Sequence, residues 1–170
     1  MRIDHIAYRV SDRNKTAQFF IDAFGYKISD EFEIQFDDGC VAQCYALTPP
    51  ERISGTPWVM FGQAEYHSPP EIFVSQGSEG SIVDEWVKSH NCIGGVHHIA
   101  YQVDDVEKTM HEWRENGWAE FTTEKPIVAD GLSQCFTKPH VLTGIIYEFI
   151  FRTKKGFNVN SVRDLMESTI

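Results

Sequence analysis

Residues 4–10 read DHIAYRV and residues 97–103 read HHIAYQV, and this internal repeat decides the fold. His5, Ile6, Ala7, Tyr8 and Val10 recur as His98, Ile99, Ala100, Tyr101 and Val103. A repeat of this kind signals two copies of one supersecondary unit that share a core. Each copy alternates in the two-residue period of a strand. Each is followed by cap residues, Ser11 and Asp12 or Asp104 and Asp105, whose side-chain oxygens satisfy the free amides of a first helical turn. Helical spacing then follows, through Ala17, Phe20 and Phe24 in the first copy and Val106, Met110 and Trp113 in the second. Gly25 and Gly117 supply the stop signals.

Three strands are expected after each helix. In the second copy they fall near 118–123, 132–138 and 144–151, and in the first near 26–36 and 40–47 with one more. Two segments compete for that last strand. Trp58 to Phe61 has the better strand composition, whereas Glu71 to Val74 better matches Tyr147 to Ile150 of the second copy. An amphipathic helix from Ser81 to His90 links the copies, and a terminal helix near 161–168 presents Val162, Leu165 and Met166. The expected class is α+β: two tandem βαβββ modules forming one open, curved eight-stranded sheet around a metal cavity, with a C-terminal helix. The expected divisions of this single domain are 1–80, first module; 81–95, linker helix; 96–152, second module; and 153–170, tail helix.

Composition narrows the function classes. The 170 residues carry a formal net charge of −10, which argues against binding a phosphate backbone. No apolar run approaches the length of a membrane span. The start, MRIDHIAYRV, reads as a strand rather than a signal peptide, so the cytoplasm is the expected compartment. Cys40, Cys44, Cys92 and Cys135 form no CxxC pair and are expected as buried reduced thiols.

Strand alternation places Ile6, Tyr8 and Val10 against the helices, and His5, Ala7 and Arg9 on the opposite face. His98, Ala100 and Gln102 follow the same rule, so the two histidines hold equivalent positions and can face one cavity. Glu148 stands within the apolar run Ile146 to Phe151, where a carboxylate is costly without a partner. Two imidazoles and one carboxylate make the facial triad of non-haem Fe(II) oxygenases, and other divalent ions also fit. Glu71 is a candidate fourth ligand. His97 is expected to point to the other face, and His67, His90, His111 and His140 read as surface residues.

A duplicated module with ligands on its first and last strands resembles the vicinal oxygen chelate superfamily of glyoxalases, bleomycin resistance proteins and dioxygenases. The run Ser81 to Tyr101 (SIVDEWVKSHNCIGGVHHIAY) is similar to the linker helix and metal-histidine strand in the catalytic half of the 4-hydroxyphenylpyruvate dioxygenases. Gln134 to Pro139, Tyr147 to Arg152 and Gly156 to Ser168 resemble further segments of that half, in the same order. The resemblance implies His5, His98 and Glu148 as iron ligands and Gln134 as a catalytic contact to the substrate. Phe136 and Phe157 would sandwich an aromatic ring.

The departures are specific. That family has a further module pair, and its tail favours other residues where Asn158, Asn160 and Ser161 stand here. Gln43 is the nearest polar candidate for substrate binding in the first module. The implied activity is an Fe(II) dioxygenase acting on a 2-oxo acid or small aromatic. The linker and HHIAY strand also resemble methylmalonyl-CoA epimerase, although Ala42-Gln43 stands where that family carries its catalytic glutamate. An epimerase or lyase using Co, Ni, Mn or Zn, a metal-free binding or resistance protein, and an interaction module are the alternatives. A small-molecule substrate and a homodimer complete the expectations.

Overall fold

The structure is a computed structural model, and it describes residues 1–50, 69–129, 131–153 and 159–169. The chain runs through β1 (Arg2–Val10), α1 (Arg13–Phe24), β2 (Lys27–Gln35), β3 (Val41–Thr48) and β4 (Glu71–Gly77). It continues through α2 (Ile82–Ser89), β5 (Gly94–Gln102), α3 (Val106–Glu115), β6 (Ile127–Ala129), β7 (Leu132–Phe136), β8 (Ile146–Arg152) and α4 (Val159–Glu167). All eight strands form one mixed sheet, ordered β2-β3-β4-β1-β5-β8-β7-β6 and curled into a half-barrel. The order reads the same from either edge once the two modules are exchanged. The antiparallel pair β1–β5 lies at the centre, and each module closes with a parallel pair, β1–β4 and β5–β8. The last strand of the first module is therefore the one opening at Glu71. The competing segment at 58–61 lies outside the described residues.

Local signals account for the helices. The Asp12 carboxylate accepts from the Lys15 amide and that of Asp105 from the Lys108 amide, both at 2.9 Å. Each closes a first turn that would otherwise leave free donors. Gly25 ends α1 in the left-handed region at φ 73°, and its amide donates to the Ile21 carbonyl.

One expected strand is absent. Residues 118–123 contribute only a single bridge, Phe121 to Thr137, and pairing resumes in β6. The Arg114 guanidinium takes the carbonyls of Thr123 and Glu124 at 2.7 and 2.9 Å. Two backbone hydrogen bonds flank the bridge, Thr122 N–H to the Phe136 carbonyl and Lys138 N–H to the Glu120 carbonyl.

The two faces of the sheet are packed differently. Helix α1 covers the outer face through Ala17 and Phe20 against Val10, Leu47, Ile72 and Val74. Helix α3 does the same through Val106 and Met110 against Phe121, Cys135 and Phe149. On the inner face, Val83 of α2 and Met166 of α4 pack with Ala7, Ile34 and Phe73. Leu165 of α4 packs with Phe136, Ile146 and Ile127. Helix α4 thus touches both edge strands, β2 and β6, and crosses the open side of the half-barrel. Burial of Leu165 or Met166 is worth about 2 kcal/mol each, enough to hold a short helix across a cavity. The four cysteines are free thiols. Cys44 and Cys135 are buried, whereas Cys92 is exposed at the end of the linker.

Candidate metal centre

A row of cross-strand neighbours builds the site. Glu71, His5, Ala100, Glu148 and Phe136 lie side by side across β4, β1, β5, β8 and β7. Ala100 separates His5 from Glu148, and its small side chain lets the imidazole and carboxylate meet above it. In the next row Ala7 sits opposite His98. The exchange of histidine and alanine between the central strands brings both rings to one point.

His5 Nε2 lies 3.3 Å from Glu148 Oε2, His98 Nε2 lies 3.2 Å from the same oxygen, and the two nitrogens are 3.3 Å apart. All three residues are buried. Metal bonds of about 2.1 Å put adjacent ligand atoms roughly 3.0 Å apart in an octahedron and roughly 3.4 Å apart in a tetrahedron. The observed triangle falls between these spacings, so the donor set fits a divalent ion.

The electrostatics express the same convergence. Burial works against a charged His5, but the Glu148 carboxylate and then Asp4 outweigh it and raise its pKa to about 9. Burial would push Glu148 up, yet the two histidines pull it down to about 2. Burial dominates at His98 and lowers its pKa.

Each ligand histidine is steered by the residue before it. Asp4 Oδ1 accepts from His5 Nδ1 at 2.9 Å, and His97 Nδ1 lies 2.8 Å from His98 Nδ1. Both steering residues sit at register shifts in the β1–β5 ladder, one between Ile3 and His5 and the other opposite Ala7 and Tyr8. A bulge inserts an extra residue and breaks strict alternation. His97 therefore does not turn to the outer face as alternation predicts. It is buried among Trp86, His98 and Phe136. Arg152 completes this layer, donating to both Asp4 oxygens at 2.8 and 3.2 Å.

The other candidates divide. Phe136 is buried with its ring 4.7 Å from that of His98. Gln134 is buried nearby, and its Nε2 donates to the Ser161 carbonyl of α4 at 3.2 Å. Glu71 stands beside His5, but its Oε2 accepts from Arg152 at 2.9 Å, and it does not join the ligand triangle. Gln43 is not at the site. Ala42 and Cys44 face the inner core, so the residue between them is exposed on the other side of β3. Phe157 and His67 lie outside the described residues. His90, His111 and His140 are at or near the surface. Sequence reasoning missed Asp4, His97 and Arg152. The available signal for the first two was their equivalent place in the repeat, directly before each ligand histidine.

Comparison with known proteins agrees with this architecture. The family model for the glyoxalase/bleomycin resistance protein/dioxygenase superfamily matches residues 4–136. Mitochondrial methylmalonyl-CoA epimerase of Mus musculus is 23% identical over 147 residues, covering 86% of this chain and 71% of that protein. A crystal structure of a methylmalonyl-CoA epimerase superposes with a TM-score of 0.65 at 22% identity, covering 91% of this chain and 97% of the other. A variant of 4-hydroxymandelate synthase from Streptomyces coelicolor gives a TM-score of 0.75 at 18% identity, covering 98% of this chain. This chain spans about half of that synthase, 52% of its length. Among the described residues no helix is long and apolar enough to cross a membrane. The match over most of the chain, with the duplicated βαβββ sheet, places the protein in the glyoxalase/bleomycin resistance protein/dioxygenase superfamily.

Proposed function

We propose that this chain is a metal-dependent enzyme that holds one divalent ion, Fe(II), on His5, His98 and Glu148 and oxidises a small 2-oxo acid with O₂. The observation that carries the reading is the triangle of two imidazole nitrogens and one carboxylate oxygen, 3.2–3.3 Å on a side. Such a set leaves coordination positions open, as non-haem Fe(II) oxygenases require. When bound, the ion supplies Lewis acidity, redox capacity and positions for chelation by two neighbouring substrate oxygens.

The chain supplies the rest. Asp4 and His97 fix the planes of the ligand rings. The Phe136 ring shields His98 and gives an aromatic or aliphatic substrate an apolar wall. Gln134, whose Nε2 donates to the Ser161 carbonyl of α4, orients a substrate carboxylate or carbonyl in this reading. Helix α4 covers the open side of the sheet and keeps bulk water from the reacting groups. Oxygen uptake by the Fe(II)-loaded protein with a panel of 2-oxo acids tests the reading. Consumption of O₂ coupled to loss of a 2-oxo acid is expected. No uptake with any member would contradict it.

The likeness to methylmalonyl-CoA epimerases favours a second reading, a metal-dependent epimerase using Co, Ni, Mn or Zn. An epimerase needs a base at the substrate carbon. Glu71 stands beside His5 in the sheet as a further carboxylate, and Arg152 holds it in an ion pair. Anaerobic exchange of solvent deuterium into methylmalonyl-CoA would favour this reading over the oxygenase.

A further inference from the structure

The inner face carries two basic arginines with opposite surroundings. Arg152, at the Asp4 end, is paired with two carboxylates. Arg9 lies on the same face beyond His5 and Ala7, at the other end of β1, and is only 4% exposed. Among the described residues its one hydrogen bond runs to Thr169 Oγ1 at 3.2 Å, and none of them forms an ion pair with it. A buried guanidinium offers five donors and no acceptor. Leaving such a charge without a counter-anion is costly.

A second orphan lies beside it. His97 is 4% exposed, and its Nε2 has no hydrogen-bond partner. The ring hydrogens can be assigned from the ligand role of His98. If His98 Nε2 gives its lone pair to a metal, its Nδ1 carries the hydrogen and donates to His97 Nδ1. His97 then bears its own hydrogen on Nε2. The unpartnered atom is therefore a donor. Arg9 pairs with Gly95 across the β1–β5 ladder, two residues from the bulged His97. Arg9 and His97 Nε2 both offer donors here, which is the complement of an anion.

We propose that Arg9 and His97 form a subsite for a second carboxylate of the substrate, so that the enzyme acts on a dicarboxylate with one end at the metal and the other at Arg9. This rests on the metal reading of His5, His98 and Glu148. The span is consistent. The strand rise puts the Arg9 Cα about 13 Å from that of His5 and about 7 Å from that of Ala7, which sits opposite His98. A dicarboxylate of several carbons is of that length. The planar guanidinium suits a carboxylate through paired hydrogen bonds.

The test is calorimetric titration of the Co(II)-loaded protein with 2-oxoadipate and 2-oxohexanoate, which have six carbons each and differ in the terminal carboxylate. Wild type is expected to bind 2-oxoadipate about tenfold more tightly or better. Arg9→Met should erase that preference while leaving Co(II) uptake unchanged. Thr169→Val, which removes the contact to the chain end and keeps the guanidinium, should retain the preference. Equal binding of the two acids by wild type overturns the proposal, as does a preference that survives in Arg9→Met or is lost equally in Thr169→Val. If wild type takes up no Co(II), the metal reading has failed, and the apoprotein is titrated with glutarate instead. Glutarate binding that depends on Arg9 then sustains the anion subsite, and its absence overturns that as well.

Discussion

Asp4 and His97 occupy equivalent positions in the two modules, and each engages the Nδ1 of the histidine that follows it, at 2.9 and 2.8 Å. One copy uses a carboxylate and the other an imidazole, so the two ligand histidines are not electronically alike. The carboxylate makes His5 the more basic donor, while the neutral ring leaves His98 less so. Loss of such a partner typically costs about 10–100-fold in metal affinity. Asp4→Asn is expected to weaken Co(II) binding by that amount, and His97→Phe by about tenfold, both read by competition with a chelating dye. Affinities equal to wild type would remove both residues from the site.

Proton linkage gives a second expectation. The folded-state pKa of His5 is raised from 6.5 to about 9. Its contribution to apoprotein stability is therefore fully present below pH 6.5 and is lost as pH rises through about 9. Glu148 is lowered from 4.5 to about 2, so its contribution is present above pH 4.5 and lost as pH falls toward 2. A metal must displace the His5 proton. Affinity for Co(II) should rise by about tenfold per pH unit from 7 to 9 and then level, with about one proton released near pH 7. Titrations in buffers of different ionisation enthalpy count that proton. A pH-independent affinity would contradict the assignment.

Glu71 separates three ligands from four. Arg152 holds its carboxylate away from the triangle, so Glu71→Gln should change Co(II) affinity by less than about threefold, since no metal bond is lost. A loss of a hundredfold would make Glu71 a ligand and strengthen the epimerase reading.

The bulge that turns His97 inward depends on the start of β5. Gly94 has φ +90°, and a Cβ there would lie 2.0 Å from the Arg9 carbonyl oxygen. Gly94→Ala should destabilise the fold by roughly 3 kcal/mol or more, through both strain and collision with backbone. Urea denaturation measures it, and a change under 1 kcal/mol would mean that the two strands separate easily at that point.

The repeat made the sheet legible. Once DHIAYRV and HHIAYQV are aligned, strand and helical periods give the order of elements, and His5 and His98 take equivalent places on one face. Glu148 was legible because a carboxylate among Ile146, Phe149 and Ile150 demands a partner. The same rule failed at His97, because a bulge shifts the face of one residue without any local change in composition. It also left Gln43 as a candidate, although the neighbours Ala42 and Cys44 take the inner face. The expected strand at 118–123 is reduced to the bridge Phe121 to Thr137, and the carbonyls that follow it turn to the Arg114 guanidinium. Such a contact leaves no trace in the periodicity of that segment.

One divalent ion on His5, His98 and Glu148 underlies both readings of the chemistry. Anaerobic Fe(II) titration of wild type and His98→Ala, with circular dichroism to establish that both are folded, tests it most directly. One ion per chain in wild type is expected, with affinity at least about a hundredfold weaker in the folded variant. A folded His98→Ala protein that binds Fe(II) as tightly as wild type would contradict the account.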